Sequence, residues 1–126
     1  MLPNNLVKLY CCLNKIIHLD NLPINLEKVI CRSNNIKYLD NLPSNLEKCD
    51  CSMNKIQQLD NLPEKLKILV CPGNKIQQLD NLPRGLIKLV CFHNQITTLE
   101  YFPDTLEILI CFFTPLHICT FKTPIL

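Results

Sequence analysis

The side chains best able to do chemistry in this chain are its cysteines, nine of them among 126 residues. They could form disulfides, act as nucleophiles or bind soft metals. Six recur at one interval, as Cys11, Cys31, Cys51, Cys71, Cys91 and Cys111, and Cys12, Cys49 and Cys119 complete the set. A disulfide needs converging Cβ vectors and a specific torsion. Side chains repeated in register point in parallel directions and meet that need poorly. The odd count, and a Met1-Leu2-Pro3-Asn4-Asn5 start without the basic and apolar runs of a secretion signal, point to a reducing compartment, the cytoplasm. Buried free thiols that fill space as small apolar groups are therefore expected, with Cys12 projecting onto a surface. Neither Cys11-Cys12, nor Cys49-x-Cys51, nor the scattered His18, His93 and His117 has the paired spacing of a zinc site.

Charged residues recur at the same interval. Asp20, Asp40, Asp60, Asp80 and Glu100 make an acidic column. Hard-cation sites need several converging oxygens, so the favoured role is local capping of the Asn-Leu-Pro turn that follows each one. Lys8, Lys28, Lys48 and Lys88 make a basic row, but Glu27, Glu47, Glu107 and Asp50 lie beside it and the net charge is only +2. Mixed signs without interleaved aromatic residues argue against nucleic acid. Two glycines in all leave no phosphate-binding loop, and no His, Cys and carboxylate trio recurs at a loop mouth. Neither catalysis nor a cofactor is expected. The pair Cys91 and His93 would, by strand alternation, point inward near a turn.

What positions these residues is a period of 20. Leu2, Pro3, Leu6, Leu9, Cys11, Asn14, Ile16 and Leu19 each begin a column that returns every 20 residues, with Val29 and Cys49 in the Leu9 column and Thr114 breaking the asparagines. Six units follow, 1–20, 21–40, 41–60, 61–80, 81–100 and 101–120, and an apolar tail at 121–126. The period also explains the composition: 23 leucines, 14 isoleucines, 14 asparagines and nine prolines are mostly column residues. With 48% apolar and 19% charged residues the chain is not of disordered type, and no apolar run approaches the roughly 18 residues of a membrane helix.

One unit reads Leu6-x-x-Leu9-x-Cys11-x-x-Asn14-x-Ile16-x-x-Leu19, which is the leucine-rich repeat signature. No unit buries its apolar face alone, whereas stacked units share one core. Alternation at Leu9 and Cys11 predicts a strand over about residues 8–12 of each unit, and stacking in register makes these strands a parallel sheet. A proline per unit leaves no room for a long helix on the return path, which should be extended or 3₁₀-like, for example over 16–22. The expected fold is thus mostly β within the α/β solenoid class: a right-handed superhelix, arched like a horseshoe, with a concave sheet. Each inward asparagine is expected to satisfy backbone groups of its own and adjacent units, a ladder that should end at Asn94.

With its Leu-Pro pair ahead of that signature, the unit resembles the short 20-residue repeats of bacterial effector proteins. It is also similar to leucine-rich repeat proteins of giant viruses of amoebae, whose Asn/Ile/Lys-rich, alanine-poor style it shares. The resemblance covers residues 2 to about 119 and implies a concave sheet that binds proteins, in a host cytoplasm. The sequence departs from those effectors at Asp20-Asn21 and its copies, and shows no counterpart of their N-terminal helical cap or of an appended ubiquitin-ligase domain. Ligase activity is therefore not implied.

Because constant columns build the scaffold, function should lie in the variable ones, at positions 8, 10 and 12 of each unit. The candidate protein-binding residues are Tyr10, Ile30, Arg32, Ile68, Val70, Val90, Phe92, Ile108, Ile110 and Phe112. From the fourth unit onward this face is largely apolar, and soluble monomers seldom leave such a patch bare. The Lys8 and Arg32 end would set register. Three occupants are open: a partner protein, a second copy, or the tail, whose Phe121, Ile125 and Leu126 could fold over the last unit. Solenoids usually close with a polar cap, and residues 112–126 do not read as one. The expectation is a non-enzymatic interaction module, with homodimerisation through the C-terminal half and, as the alternative, a self-assembling structural protein. Neither nucleic acid nor membrane is expected as a partner.

Overall fold

The computed structural model describes residues 1–115 and the backbone of residues 118–119. Six three-residue strands recur every 20 residues: β1 (Lys8–Tyr10), β2 (Lys28–Ile30), β3 (Lys48–Asp50), β4 (Ile68–Val70), β5 (Lys88–Val90) and β7 (Ile108–Ile110). They form one parallel sheet in the order β1-β2-β3-β4-β5-β7, each strand pairing with the equivalent residues of the next. Two further strands, β6 (Thr98–Leu99) and β8 (Ile118–Cys119), pair in parallel on the return path, where Tyr38 and Gln58 also bridge. No helix occurs among the described residues. The return segments are extended rather than 3₁₀, and neighbouring turns begin to pair through them. The molecule is a parallel β-solenoid. Phe121, Ile125 and Leu126, with the rest of the 121–126 tail, lie outside the described residues.

The core is the set of constant columns. Leu26, Leu46, Leu66 and Leu86 are fully buried, as are Val29, Cys49, Leu69 and Leu89, Cys31, Cys51, Cys71 and Cys91, and Ile36, Ile56, Ile76 and Ile96. Their equivalents in the first turn, Leu6, Leu9, Cys11 and Ile16, are only partly covered, because a solenoid buries a rung between two neighbours.

Two bends per turn close each coil. At the first, Leu26 N–H donates to Pro23 O at 3.2 Å, and Leu46, Leu66, Leu86 and Leu106 repeat the bond at 3.1 Å. Ahead of that bend Asn21, Asn41, Asn61 and Asn81 hold φ between 54° and 57°. Asparagine tolerates this left-handed region far better than most residues, which accounts for the column; Tyr101 takes the same φ, 59°, without that advantage. The aspartates before them do not cap the turn as the sequence suggested. Asp20, Asp40, Asp60 and Asp80 project into solvent and make no hydrogen bond, because the left-handed residue already turns the chain.

The second bend follows the strand and is held by the asparagine ladder. Asn54 Nδ2 donates to Cys31 O and Cys51 O, both at 3.0 Å, while its Oδ1 accepts from Ile36 N at 3.1 Å. Asn34, Asn74 and Asn94 repeat the pattern, so each amide ties its own turn to the one before. Asn14, in the first described turn, bonds within its own turn to Cys11 O and Cys12 O. Thr114 keeps one bond, Oγ1 to Cys111 O at 2.8 Å. A hydroxyl has a single donor, so the full ladder stops at Asn94.

Candidate protein-docking face

Positions 8, 10 and 12 of each turn stand on the outer face of the sheet, since strand side chains alternate and positions 9 and 11 are committed to the core. The face is not uniform along the stack. Tyr10 is exposed over β1, whereas Ile30 and Val90 are only 4% and 6% exposed. These two, among the expected contact residues, are covered by their in-register neighbours, Tyr10 and Asp50 for Ile30 and Val70 and Ile110 for Val90.

Over β2 and β3 the face carries a fixed polar group. Arg32 Nε meets Asp50 Oδ2 at 3.0 Å, and Asp50 Oδ1 accepts from Ser52 N at 3.2 Å and from the Ser52 hydroxyl. Asp50 and Ser52 are buried, and the Arg32 guanidinium stays largely in solvent. A buried carboxylate held by three donors is a rigid fixture. It leaves Arg32 oriented, with further N–H groups free to point outward.

Toward β7 the face becomes apolar and aromatic. Ile68, Val70 and Ile110 are half-buried, while Ile108 and Phe112 are 43% and 52% exposed. Phe92 stacks on Phe112, with centroids 4.5 Å apart and planes 9° from parallel. Beside this pair His93 stacks on Phe113 at 4.9 Å, and each phenylalanine of the outer row meets its chain neighbour edge-on. His93 and Phe113 were not among the expected contact residues, since alternation would turn His93 inward. The backbone decides otherwise. The column Leu13, Ser33, Met53, Gly73, His93 and Phe113 has φ between 51° and 68°, which breaks the alternation and swings the side chain out. At Gly73 an added Cβ would run into Met53 Sδ, so glycine serves there both the left-handed φ and the overlying methionine.

The cysteine column is chemically quiet. Burial raises the pKa of Cys11 and Cys31, with neighbouring cysteines adding to it, and pushes Cys71 well above the ordinary 9.0. Cys51 is raised well above it by a hydrogen bond with Cys49 and then by burial. Such groups stay protonated and are poor nucleophiles. Cys12, on the sheet face, is half-buried and directs Sγ at Ile30 O, 3.6 Å away. Among the described residues no group of three His, Cys, Asp or Glu side chains could hold a metal ion, and no helix is long and apolar enough to cross a membrane. An open groove of about 330 Å³ on the return side, lined by Gln77, Gln78, Gln95 and Thr97, carries no ionisable group.

A parallel sheet repeating every 20 residues, an asparagine ladder between turns and a Leu-Pro bend per coil define a leucine-rich repeat solenoid. Among solved structures, the leucine-rich repeat domain of a Shigella effector is similar over 87% of this chain and 50% of that one, at 31% identity and a TM-score of 0.81. YopM from Yersinia enterocolitica WA-314 is similar over 96% of this chain and 41% of its own, at 22% identity and a TM-score of 0.51, a likeness of fold alone. This chain therefore spans half or less of the length of either structure. No family model and no curated protein matches the sequence.

Proposed function

We propose that the protein is a non-enzymatic interaction module that binds a partner protein on its sheet face, chiefly over β4, β5 and β7. The observation that carries this reading is the contiguous apolar surface formed by Ile108, Ile110, Phe112 and Phe113 with Val70 and Phe92 behind them. Aromatic and aliphatic groups held rigidly on strands lose little entropy on binding and supply most of the energy of protein interfaces. The likeness to effector repeats supports the same function and a host cytoplasm as its place, where the cysteines remain thiols. Membrane and nucleic acid are not partners in this reading. The same surface also favours a second reading, self-association of the C-terminal half.

Affinity capture with three baits tests the proposal: wild type, Phe112→Asp, and Gln57→Asp on the return side. A prey retained by wild type and Gln57→Asp but lost with Phe112→Asp supports docking on the sheet face. The same prey on all three baits refutes it. Light scattering coupled to size exclusion decides the second reading: a dimer that Phe112→Asp dissolves favours self-association, and a monomer at tens of micromolar eliminates it.

A further inference from the structure

The other half of the sheet face poses an electrostatic problem that the fold does not solve. Lys8, Lys28 and Lys48 are direct in-register partners on β1, β2 and β3. Adjacent strands lie about 4.8 Å apart, and like charges directly opposite each other destabilise a sheet. None of the three forms an ion pair among the described residues: Glu47 is engaged with Lys67 at 3.9 Å, and Asp50 with Arg32 at 3.0 Å. Arg32 stands beside the row with its guanidinium largely in solvent. The outer face is basic at position 8 over β1, β2 and β3. Over β4, β5 and β7 it is apolar apart from Lys88, which lies in register between Ile68 and Ile108. Such a face is complementary to a ligand divided in the same way.

The spacing narrows the ligand further. An α-helix lying across the strands, along the stack, presents one stripe of side chains at i, i+4 and i+7, successive members about 5–6 Å apart, close to one residue per strand. An extended peptide in that direction offers same-face residues only about every 6.8 Å and drifts out of step with the lysines. Six strands span about 24 Å, which is the length of about 16 helical residues. We propose that the sheet face takes an amphipathic helix of a partner protein, with carboxylates over Lys8, Lys28 and Lys48 and apolar side chains over Val70, Ile110 and Phe112. This rests on the docking function proposed above and names the chemistry of its partner.

Other occupants fit less well. Residues 116–126 contain Lys122 and no aspartate or glutamate, so that segment has no acidic side chain to set against the row. A second copy laid face to face about a twofold axis sets basic on basic or basic on apolar, and neither arrangement relieves the lysines. For nucleic acid the aromatic pair is unsuited, since Phe92 and Phe112 already stack on each other.

Fluorescence anisotropy with synthetic 16-residue helices tests the proposal. Two peptides share one apolar stripe and carry, in the other half, glutamates or glutamines at i, i+4 and i+7. The glutamate helix is expected to bind wild type at least about tenfold more tightly than the glutamine helix, a preference that shrinks as salt is raised. Lys28→Glu should abolish the preference while raising the melting temperature, because Lys8, Glu and Lys48 would then alternate in sign. A row that is only a solvated surface would not couple these two effects. Equal affinity for both helices overturns the acidic partner; if Phe112→Asp then still weakens both, docking on the sheet face survives. Failure of both helices to bind wild type at about 1 mM overturns both proposals. A 16-nucleotide oligothymidylate binding as tightly as the glutamate helix, or a wild-type dimer that excludes it, overturns the proposal in favour of nucleic acid or a second copy.

Discussion

Replacing Asn54 by alanine removes the amide that fastens the third turn to the second, and the structure sets the size of the loss. The side chain accepts from Ile36 N–H at 3.1 Å and donates to Cys31 O and Cys51 O at 3.0 Å, with a weaker contact to Ser52 O at 3.2 Å. Asn54 is buried, and Ile36 and Cys31 are fully so, leaving no water to replace the lost partner. An orphaned buried donor costs about 1–3 kcal/mol, and each lost hydrogen bond contributes about 0.5–1.5 kcal/mol net. Together these place Asn54→Ala near 3 kcal/mol of destabilisation. Asn14→Ala serves as the internal control: its two bonds, to Cys11 O and Cys12 O at 3.1 Å, stay within the first turn and are exposed. That change should cost no more than about 1 kcal/mol. Urea unfolding followed by circular dichroism measures both. Equal losses at the two positions, or a loss under about 1 kcal/mol at Asn54, would refute the view that bonds between turns make the column necessary.

Two more perturbations follow from the same geometry. Leu13 holds φ 58° with its side chain 84% exposed, so Leu13→Asn relieves left-handed strain without emptying the core and should stabilise by up to about 1 kcal/mol; an unchanged or lower melting temperature would count against the strain. The thiols of Cys31, Cys51 and Cys71 are all raised above the ordinary 9.0. Below that value both folded and unfolded chains hold these protons, and the stability is fully present. Above it only the unfolded chain releases them, so stability should fall as pH rises past 9, by up to about 1.4 kcal/mol per unit for each thiol. Replacing the three cysteines by alanine should flatten that limb even as it lowers stability throughout.

The sequence makes the scaffold legible because every column residue answers a demand that repeats. Leu26, Cys31 and Ile36 are buried for the same reason as Leu46, Cys51 and Ile56, so six weak signals add into one strong period. The face was harder to read. Alternation correctly set Ile68, Ile108 and Phe112 outward, but it cannot tell Ile108 from Val90, which faces outward and is still covered by flanking rows. That distinction depends on neighbours 20 residues away on each side. Alternation also failed at His93 and Phe113, where the strand pattern ends one residue earlier than the chemistry suggests and a left-handed backbone turns the ring out. The aspartate column misled for a related reason: asparagine and aspartate adjoin at the bend, both favour turns, and only the φ values show that Asn21 and its copies make it.

Stability and the proposed recognition fall on different positions in this fold, with one point of contact. The asparagine ladder and the six apolar columns stabilise the stack whatever stands at positions 8, 10 and 12, so these are free to vary in charge and shape. The left-handed column at Leu13, Met53, His93 and Phe113 is the exception. There the backbone takes a conformation costing a bulky residue about 1–2 kcal/mol, and Asn or Gly would relieve it, as Gly73 does. Non-glycine residues in that region are worth a functional explanation when they present a side chain outward. His93 and Phe113 qualify, since their φ values of 51° and 52° set the two rings parallel beside Phe92 and Phe112. The strain at this end of the solenoid widens the aromatic surface, and a change to Asn at both positions should gain stability while narrowing the proposed docking face.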